Sequence, residues 1–346
     1  MPTSIQAASA RSTPPPSTTT KSAVFVLLLI LGLVSVVLSV MFGIRSITFT
    51  EALSALGGAT DTAGEAAAWT RIPRTVLALC AGAALATSGV AFQAVTRNPL
   101  ADPGVFGVLA GASLSVVIGI TFFNISRTLP TMLIASMGAF AAAVFVYCVG
   151  SIGHGGATPL KLALAGAATA AALSSLTSAI LLPRADVMDE FRNWQIGSVS
   201  GAQWESLTVA FPLLGLGFII VSLTSSGLNA LSLGDDVATS LGINLTRTRV
   251  LATLGAVLLC GTTTAVTGPI AFVGLIVPHV LRMILGTDHR VLIPASALAG
   301  AVLLTLADTV GRLIGDQSEI AVGIIMPFLG APLFIWIVRQ TRMREL

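Results

Sequence analysis

Apolar residues run along this chain in long blocks, not in alternation with polar ones. The first block, 23–43, follows a polar stretch rich in Pro, Ser and Thr. Others lie at 75–95, 104–123, 130–150, 160–182, 207–226, 249–268, 270–286, 291–313 and 320–340. Each approaches the ~20 residues a helix needs to cross a bilayer. The pattern predicts an all-α, polytopic membrane protein with about ten transmembrane helices. Residues 1–22, with Pro14, Pro15 and Pro16 ahead of Ser17 and Thr20, predict a disordered cytoplasmic tail. Residues 23–346 predict a single transmembrane domain. A cleaved signal peptide has an apolar core of roughly 7–15 residues and a small-residue cleavage site. The first block is longer, and Phe42-Gly43-Ile44-Arg45 is not such a site. At Thr267-Gly268-Pro269 the chain is divided in two, because the combined run is too long for one crossing.

The connections between blocks predict surface structure. Within 46–70, Thr50-Glu51-Ala52-Leu53 suits a short helix with Thr50 as its cap. Residues 183–206 mix charges with Trp194 and Trp204, which favour a membrane interface. The connection 227–248 is long. Inside it, Leu233, Gly234, Asp235, Asp236, Ala238, Leu241 and Gly242 form a segment apolar on one helical side. Two acids at its start and a glycine at its end suit the two poles of a short amphipathic helix.

Composition changes the solvent, not the elements. Of 346 residues, 54% are hydrophobic and 10% charged, against about a quarter charged in soluble domains. Lipid is the matching solvent. The 34 glycines suit the close helix approach that packing in membranes demands. A net charge of +3 gives no case for nucleic acid. Lys and Arg set the orientation. With the N-terminus inside, 11 of the 18 fall inside, among them Arg97, Lys161, Arg247, Arg249, Arg282 and Arg290. Both termini are then cytoplasmic. Cys80, Cys148 and Cys260 form no C-x-x-C pair, and His154, His279 and His289 show no metal-ligand spacing. No metal site is expected.

Catalytic signatures are missing from the sequence. It contains no G-x-x-x-x-G-K-[ST], no H-E-x-x-H and no G-x-S-x-G. The expectation is a path, not an enzyme, with no cofactor bound by this chain. Arg71 and Arg74 flank Pro73 at the outer end of the second block. They are either snorkelling anchors or a basic rim for an acidic partner. Asp308 and Arg312 stand at i, i+4, on one helix face, able to pair. Gln93, Asn98 and His279 are polar groups within or beside helices, which commonly hydrogen-bond across a bundle. An ion-coupled secondary transporter is the rival class. It would need acids near the midplane, and only Asp308 is available.

Several strings together resemble one family. They are Arg71-Ile72-Pro73-Arg74, Gly82-Ala83-Ala84-Leu85-Ala86, Gln93, and Arg97-Asn98-Pro99-Leu100-Ala101-Asp102-Pro103. Gly268-Pro269-Ile270-Ala271-Phe272-Val273-Gly274-Leu275-Ile276-Val277-Pro278-His279, Asp288-His289-Arg290, and Ala307-Asp308 with Arg312 continue the pattern. The resemblance is to FecCD-type permeases and runs from about residue 23 to 340. It implies a subunit that dimerises, with an identical or paralogous chain, around a central path in the bacterial inner membrane. Two ATPase subunits, carrying ATP and Mg, would dock on the cytoplasmic side and a substrate-binding protein outside. Ferric siderophores are the expected cargo, with haem or cobalamin as alternatives. Arg71, Arg74 and Arg312 match arginines that meet acids of the binding protein. The segment around Gly234 to Gly242 matches the helices that sit in a cleft of the ATPase. At Ala321 many members carry Pro.

Overall fold

The computed structural model describes residues 17–43, 47–125, 127–153, 158–314 and 319–343. The tail 1–16, Arg45, His154, Asp316 and Ser318 lie outside them. Fourteen α-helices and no strand occur among the described residues. In order they are α1 (Thr18–Met41), α2 (Phe49–Leu56), α3 (Ala63–Thr96), α4 (Val108–Phe123), α5 (Thr128–Ser151), α6 (Pro159–Leu181) and α7 (Ala185–Gln195). Then follow α8 (Trp204–Leu223), α9 (Ser225–Ser232), α10 (Asp235–Ser240), α11 (Leu245–Thr267), α12 (Val273–Leu285), α13 (His289–Ile314) and α14 (Val322–Met343). Seven are long and apolar enough to cross a membrane: α1, α3, α5, α6, α8, α11 and α13. Three shorter apolar helices, α4, α12 and the Val322–Ile335 part of α14, bring the set to the ten expected.

Local chemistry explains where the boundaries depart from the hydropathy pattern. Helix α1 begins at Thr18, inside the segment expected to be disordered, because the Ser17 hydroxyl accepts the Thr20 N–H. Helix α2 is capped by Thr48, not Thr50. Thr48 and Glu51 form a reciprocal capping box. Thr62 and Glu65 make a second box that starts α3 well before residue 75. The stretch 63–70 has too little hydrophobicity to register as a span, but its alanines favour a helix. Helix α12 has 13 residues, about 20 Å at 1.5 Å per residue, and so cannot span a hydrocarbon core of ~30 Å alone.

Helix α3 is the central rod. Its faces meet α13, α12 and α11, and nearly all of its second half is buried. Glycines set these crossings. A Cβ on Gly82 would be driven into the Gly300 carbonyl of α13, and one on Gly89 into the Gly274 backbone of α12. By contrast, α1 buries only Leu28, Ser35 and Ser39 and presents Val26, Leu29, Ile30 and Leu33 outward, as a lipid-facing helix does.

Chain direction alternates along the bundle, so α2 and α7 lie at one end and α9 and α10 at the other. Arg184, at the start of α7, donates from Nη1 to the Thr121 carbonyl near the end of α4 at 3.4 Å. Arg97, at the far end of α3, meets Asp235 of α10.

Candidate functional site

At the α2/α7 end, three arginines converge on few acids. Asp308 of α13 is fully buried. It accepts from Arg74 Nε at 2.9 Å and Nη2 at 2.8 Å, and its Oδ2 lies 3.3 Å from Arg312 Nε. Arg74 also pairs with Glu319. Arg312 donates from Nη1 to the Ser39 and Phe42 carbonyls at 2.9 and 3.1 Å, and from Nη2 to the Ser39 and Thr309 hydroxyls at 2.9 and 3.2 Å. Arg71 donates to the Val40 and Met41 carbonyls at 3.1 and 3.3 Å. The cluster therefore joins the end of α1, α3, α13 and the approach to α14.

Of the three arginines the sequence offered as helix anchors or as a basic rim, Arg74 and Arg312 are buried in this cluster and Arg71 is partly exposed. Arg74 is 7% exposed and Arg312 1%, so both guanidiniums are spent on contacts within the chain. The i, i+4 pairing with Arg312 does form. The stronger partner of Asp308 is Arg74, 234 positions away, which no spacing rule could supply. Buried arginines persist here because each reaches a carboxylate or several carbonyls.

In the middle of the bundle the chain breaks between α11 and α12. Gly268 closes α11 at φ +72°, and its α-carbon packs against the Trp194 carbonyl, where a Cβ has no room. The Ser198 N–H donates to the Thr267 carbonyl at 2.7 Å, and the Gly323 N–H to the Gly197 carbonyl at 2.9 Å. The start of α14 and the loop after α7 are thus held on this break. Ala321 accepts from the Ile324 and Ile325 N–H groups, which starts the last helix at Val322.

Beside the break, α4, α6 and α7 line an open cavity of about 650 Å³. Ser113, Ser174, Thr177, Arg192, Gln195 and Pro269 are among its lining residues. Of the polar and turn positions singled out in the sequence, only Pro269 reaches it. Gln93 instead stitches α3 to α12. Its Nε2 donates to the Gly274 and Leu275 carbonyls at 3.2 and 3.3 Å, and its Oε1 accepts from Arg282 at 2.9 Å. Asn98 accepts the Leu100 N–H at 2.9 Å and holds the turn through Pro99. Pro278 is buried within α12, with His279 half-buried beside it. Among the described residues, no group of three or more His, Cys, Asp or Glu could hold a metal ion.

At the α9/α10 end the expected short helix forms, split into two. Gly234, at φ +111°, separates α9 from α10, and Gly242, at φ +77°, follows the Leu241 cap. Asp235 and Asp236 occupy the first turn of α10. Ala238 is buried, while Leu233, Val237 and Leu241 are 62%, 45% and 61% exposed. Asp235 turns back to the bundle. It accepts from Arg249 Nη2 of α11 at 2.8 and 3.0 Å and pairs with Arg97, whose Nε donates to the Leu231 carbonyl at 2.9 Å. In parallel, Asn229 of α9 donates to Asp288 at 2.7 Å and accepts the His289 N–H at 2.8 Å. The sequence places Asp235 at the helix start and in the segment resembling the ATPase-contacting helices, with no sign of its pairing to Arg97 and Arg249.

Partial burial pushes the Asp235 carboxyl up, but the hydrogen bond and charge of Arg249, with the charge of Arg97, outweigh it and hold it below the usual carboxylate range. A carboxyl depressed on folding contributes stability above its unfolded value of about 3.9 and loses it as pH falls through the lower folded value. Amide exchange across 235–241 should therefore stay unchanged from pH 8 to about 4, after correction for intrinsic rates, and rise only below that. A rise already at pH 6 would show that this carboxylate does not hold the helix.

Comparison with known proteins is consistent along most of the chain. Residues 28–340 match the FecCD transport family. The chain is 42% identical over 315 residues to the ferric enterobactin transport system permease protein FepD of Escherichia coli, covering 90% of this chain and 94% of FepD. It is 38% identical to the hemin transport system permease protein HmuU of Yersinia pestis, covering 79% of this chain and 82% of HmuU. Among solved structures, a metal-chelate type ABC transporter in an inward-facing conformation superposes with a TM-score of 0.80 at 29% identity, covering 92% of this chain and 99% of that one. The ten apolar helices and the matched span of more than 300 residues agree: this chain belongs to the FecCD transport family.

Proposed function

We propose that this chain is the membrane permease subunit of an ATP-driven importer for ferric siderophores. The observation that carries the proposal is the 42% identity to the ferric enterobactin permease over 94% of that protein's length. The exposed apolar residues Leu233, Val237 and Leu241 at one end of a membrane bundle support it. Such residues in water are costly, and a soluble partner that covers them accounts for their exposure. The partner is an ATPase subunit, which supplies the nucleotide chemistry. The α9/α10 end is then cytoplasmic, as are both chain termini, and the membrane is the bacterial inner membrane.

The cargo path runs along the cavity between α4, α6 and α7, completed by a second permease subunit packed against the exposed faces of α6 and α14. Its largely apolar lining, with the hydroxyls of Ser113, Ser174 and Thr177 and the side chains of Arg192 and Gln195, suits a bulky chelate that carries its own polarity. A substrate-binding protein docks at the α2/α7 end. Arg71, the most accessible of the three arginines, and the half-exposed Glu319 stand at that surface. Arg74 and Arg312 act from beneath, by holding the helix ends in place.

Uptake of radiolabelled ferric enterobactin, ferric citrate, haem and cobalamin tests this, in cells that carry the chain with its partner subunits. The expected result is uptake of a ferric siderophore that stops when ATP is depleted. Uptake of haem or cobalamin alone would reassign the cargo. Uptake that survives ATP depletion and collapses with the proton gradient would replace the importer by a secondary transporter.

A further inference from the structure

Helix α10 is a six-residue helix between two glycines in the left-handed region, Gly234 and Gly242. Backbone at both of its ends can therefore swivel at low cost. Ala238 is its one buried residue. Among the described residues, the carboxylate of Asp235 ties α10 to the transmembrane bundle through side-chain hydrogen bonds and charge. Asp235 bridges Arg249 on α11 and Arg97 at the terminus of α3. Arg249 is buried, with its side chain 9% exposed. Arg97 stands in the left-handed region at φ +49° and anchors a second time on the Leu231 carbonyl.

From this we infer that Asp235 is a positioning residue of the transport cycle: the joint that makes α10, α3 and α11 move as one body. The inference rests on the assignment of α10 as the ATPase-facing helix. A helix-start acid serves the helix dipole wherever it points, and Asp236 beside it does so from the exposed side. Only Asp235 reaches across to two other helices. Those two are well chosen for transmission. Helix α3 runs from Arg97 to Arg74, about 35 Å at 1.5 Å per residue, and ends in the buried ion cluster with Asp308. Helix α11 ends at the Gly268 break beside the cavity. A push delivered to the apolar side of α10 thus reaches the α2/α7 end through α3 and the break through α11. A ligand-driven change needs such differential contact between its two states.

Two measurements on the full chain separate this role from simple docking. The first is amide exchange of the purified permease in lipid nanodiscs, which needs no ligand. In Asp235→Asn, residues 235–241 should exchange at least tenfold faster than in the wild type, and Asp235→Glu should restore most of the protection. The second uses the complete complex with its ATPase subunit in proteoliposomes, with radiolabelled ferric enterobactin, ferric citrate and haem as probes. In Asp235→Asn, uptake per ATP hydrolysed should fall at least tenfold while the ATPase subunit still co-purifies at the wild-type level. Unchanged exchange would overturn the joint. So would loss of co-purification in step with uptake, since Asp235 would then belong to the contact surface itself. If the wild-type complex moved no probe with ATP, the importer assignment would fall for these cargoes, and the exchange result alone would decide whether the joint exists.

Discussion

Asp308→Ala is expected to remove about 3–5 kcal/mol of stability, the cost of leaving a buried charge without its partner. The carboxylate is fully buried between two arginines that are themselves 7% and 1% exposed. Arg74 retains Glu319 after the substitution. Arg312 retains carbonyls and hydroxyls but no anion within ion-pair reach among the described residues. Most of the penalty therefore falls on Arg312. A paired substitution, Asp308→Asn with Arg312→Gln, removes both charges and should recover more than half of the loss, although each alone is harmful. Thermal melting in detergent and abundance in the membrane measure both effects. A single variant as stable as the wild type would mean that water already reaches this cluster and screens it.

The second large effect is expected at a glycine. In Gly89→Val, the new side chain points into the Gly274 backbone at the start of α12. No rotamer relieves the collision, because the opposing atoms are main chain. Overpacking typically costs 1–3 kcal/mol when side chains can yield. Here α12 itself must move, and with it the Gln93 bonds to the Gly274 and Leu275 carbonyls. A loss of about 3 kcal/mol or more is expected, with the protein scarce in the membrane. Gly215 on α8 supplies the contrast. A Cβ there meets nothing within 4 Å, so Gly215→Ala should be neutral or stabilising by up to about 1 kcal/mol. Equal effects at the two positions would show that helix propensity, and not the α3–α12 approach, governs Gly89.

Much of the architecture was legible because lipid imposes a simple rule. Every backbone polar group must be satisfied within its own segment, so a long apolar run is a helix. That logic located α5, α6, α8 and α11 closely, and the break at Gly268. It located the start of α3 poorly, since Thr62 and Glu65 initiate the helix in a polar stretch that hydropathy ignores. It also treated 270–286 as a crossing, where the helix has only 13 residues. The candidate site divides in the same way. Asp308 with Arg312 is a local pair that helix geometry reveals. Asp308 with Arg74, and Arg97 with Asp235, are products of tertiary packing between distant segments, and only the folded chain discloses them. The exposed side of α10 was visible as a pattern, but which of its two acids turned inward was not.

The buried contact between Arg312 and Ser39 has a consequence for biosynthesis. Their separation is 273 residues. At a synthesis rate of about 5–20 residues per second, Ser39 is made roughly 15–55 s before its arginine. Helix α1 must spend that interval in lipid with its docking surface uncovered, which its nearly uniform apolar surface allows. Arg74 likewise enters the membrane long before Asp308 exists, and in the meantime its guanidinium must stay near the headgroups. The ends of the first two spans at the α2/α7 side are therefore provisional until α13 inserts. A nascent chain halted before α13 should leave Ser39, as a cysteine, open to a membrane-permeant thiol reagent that the finished protein excludes.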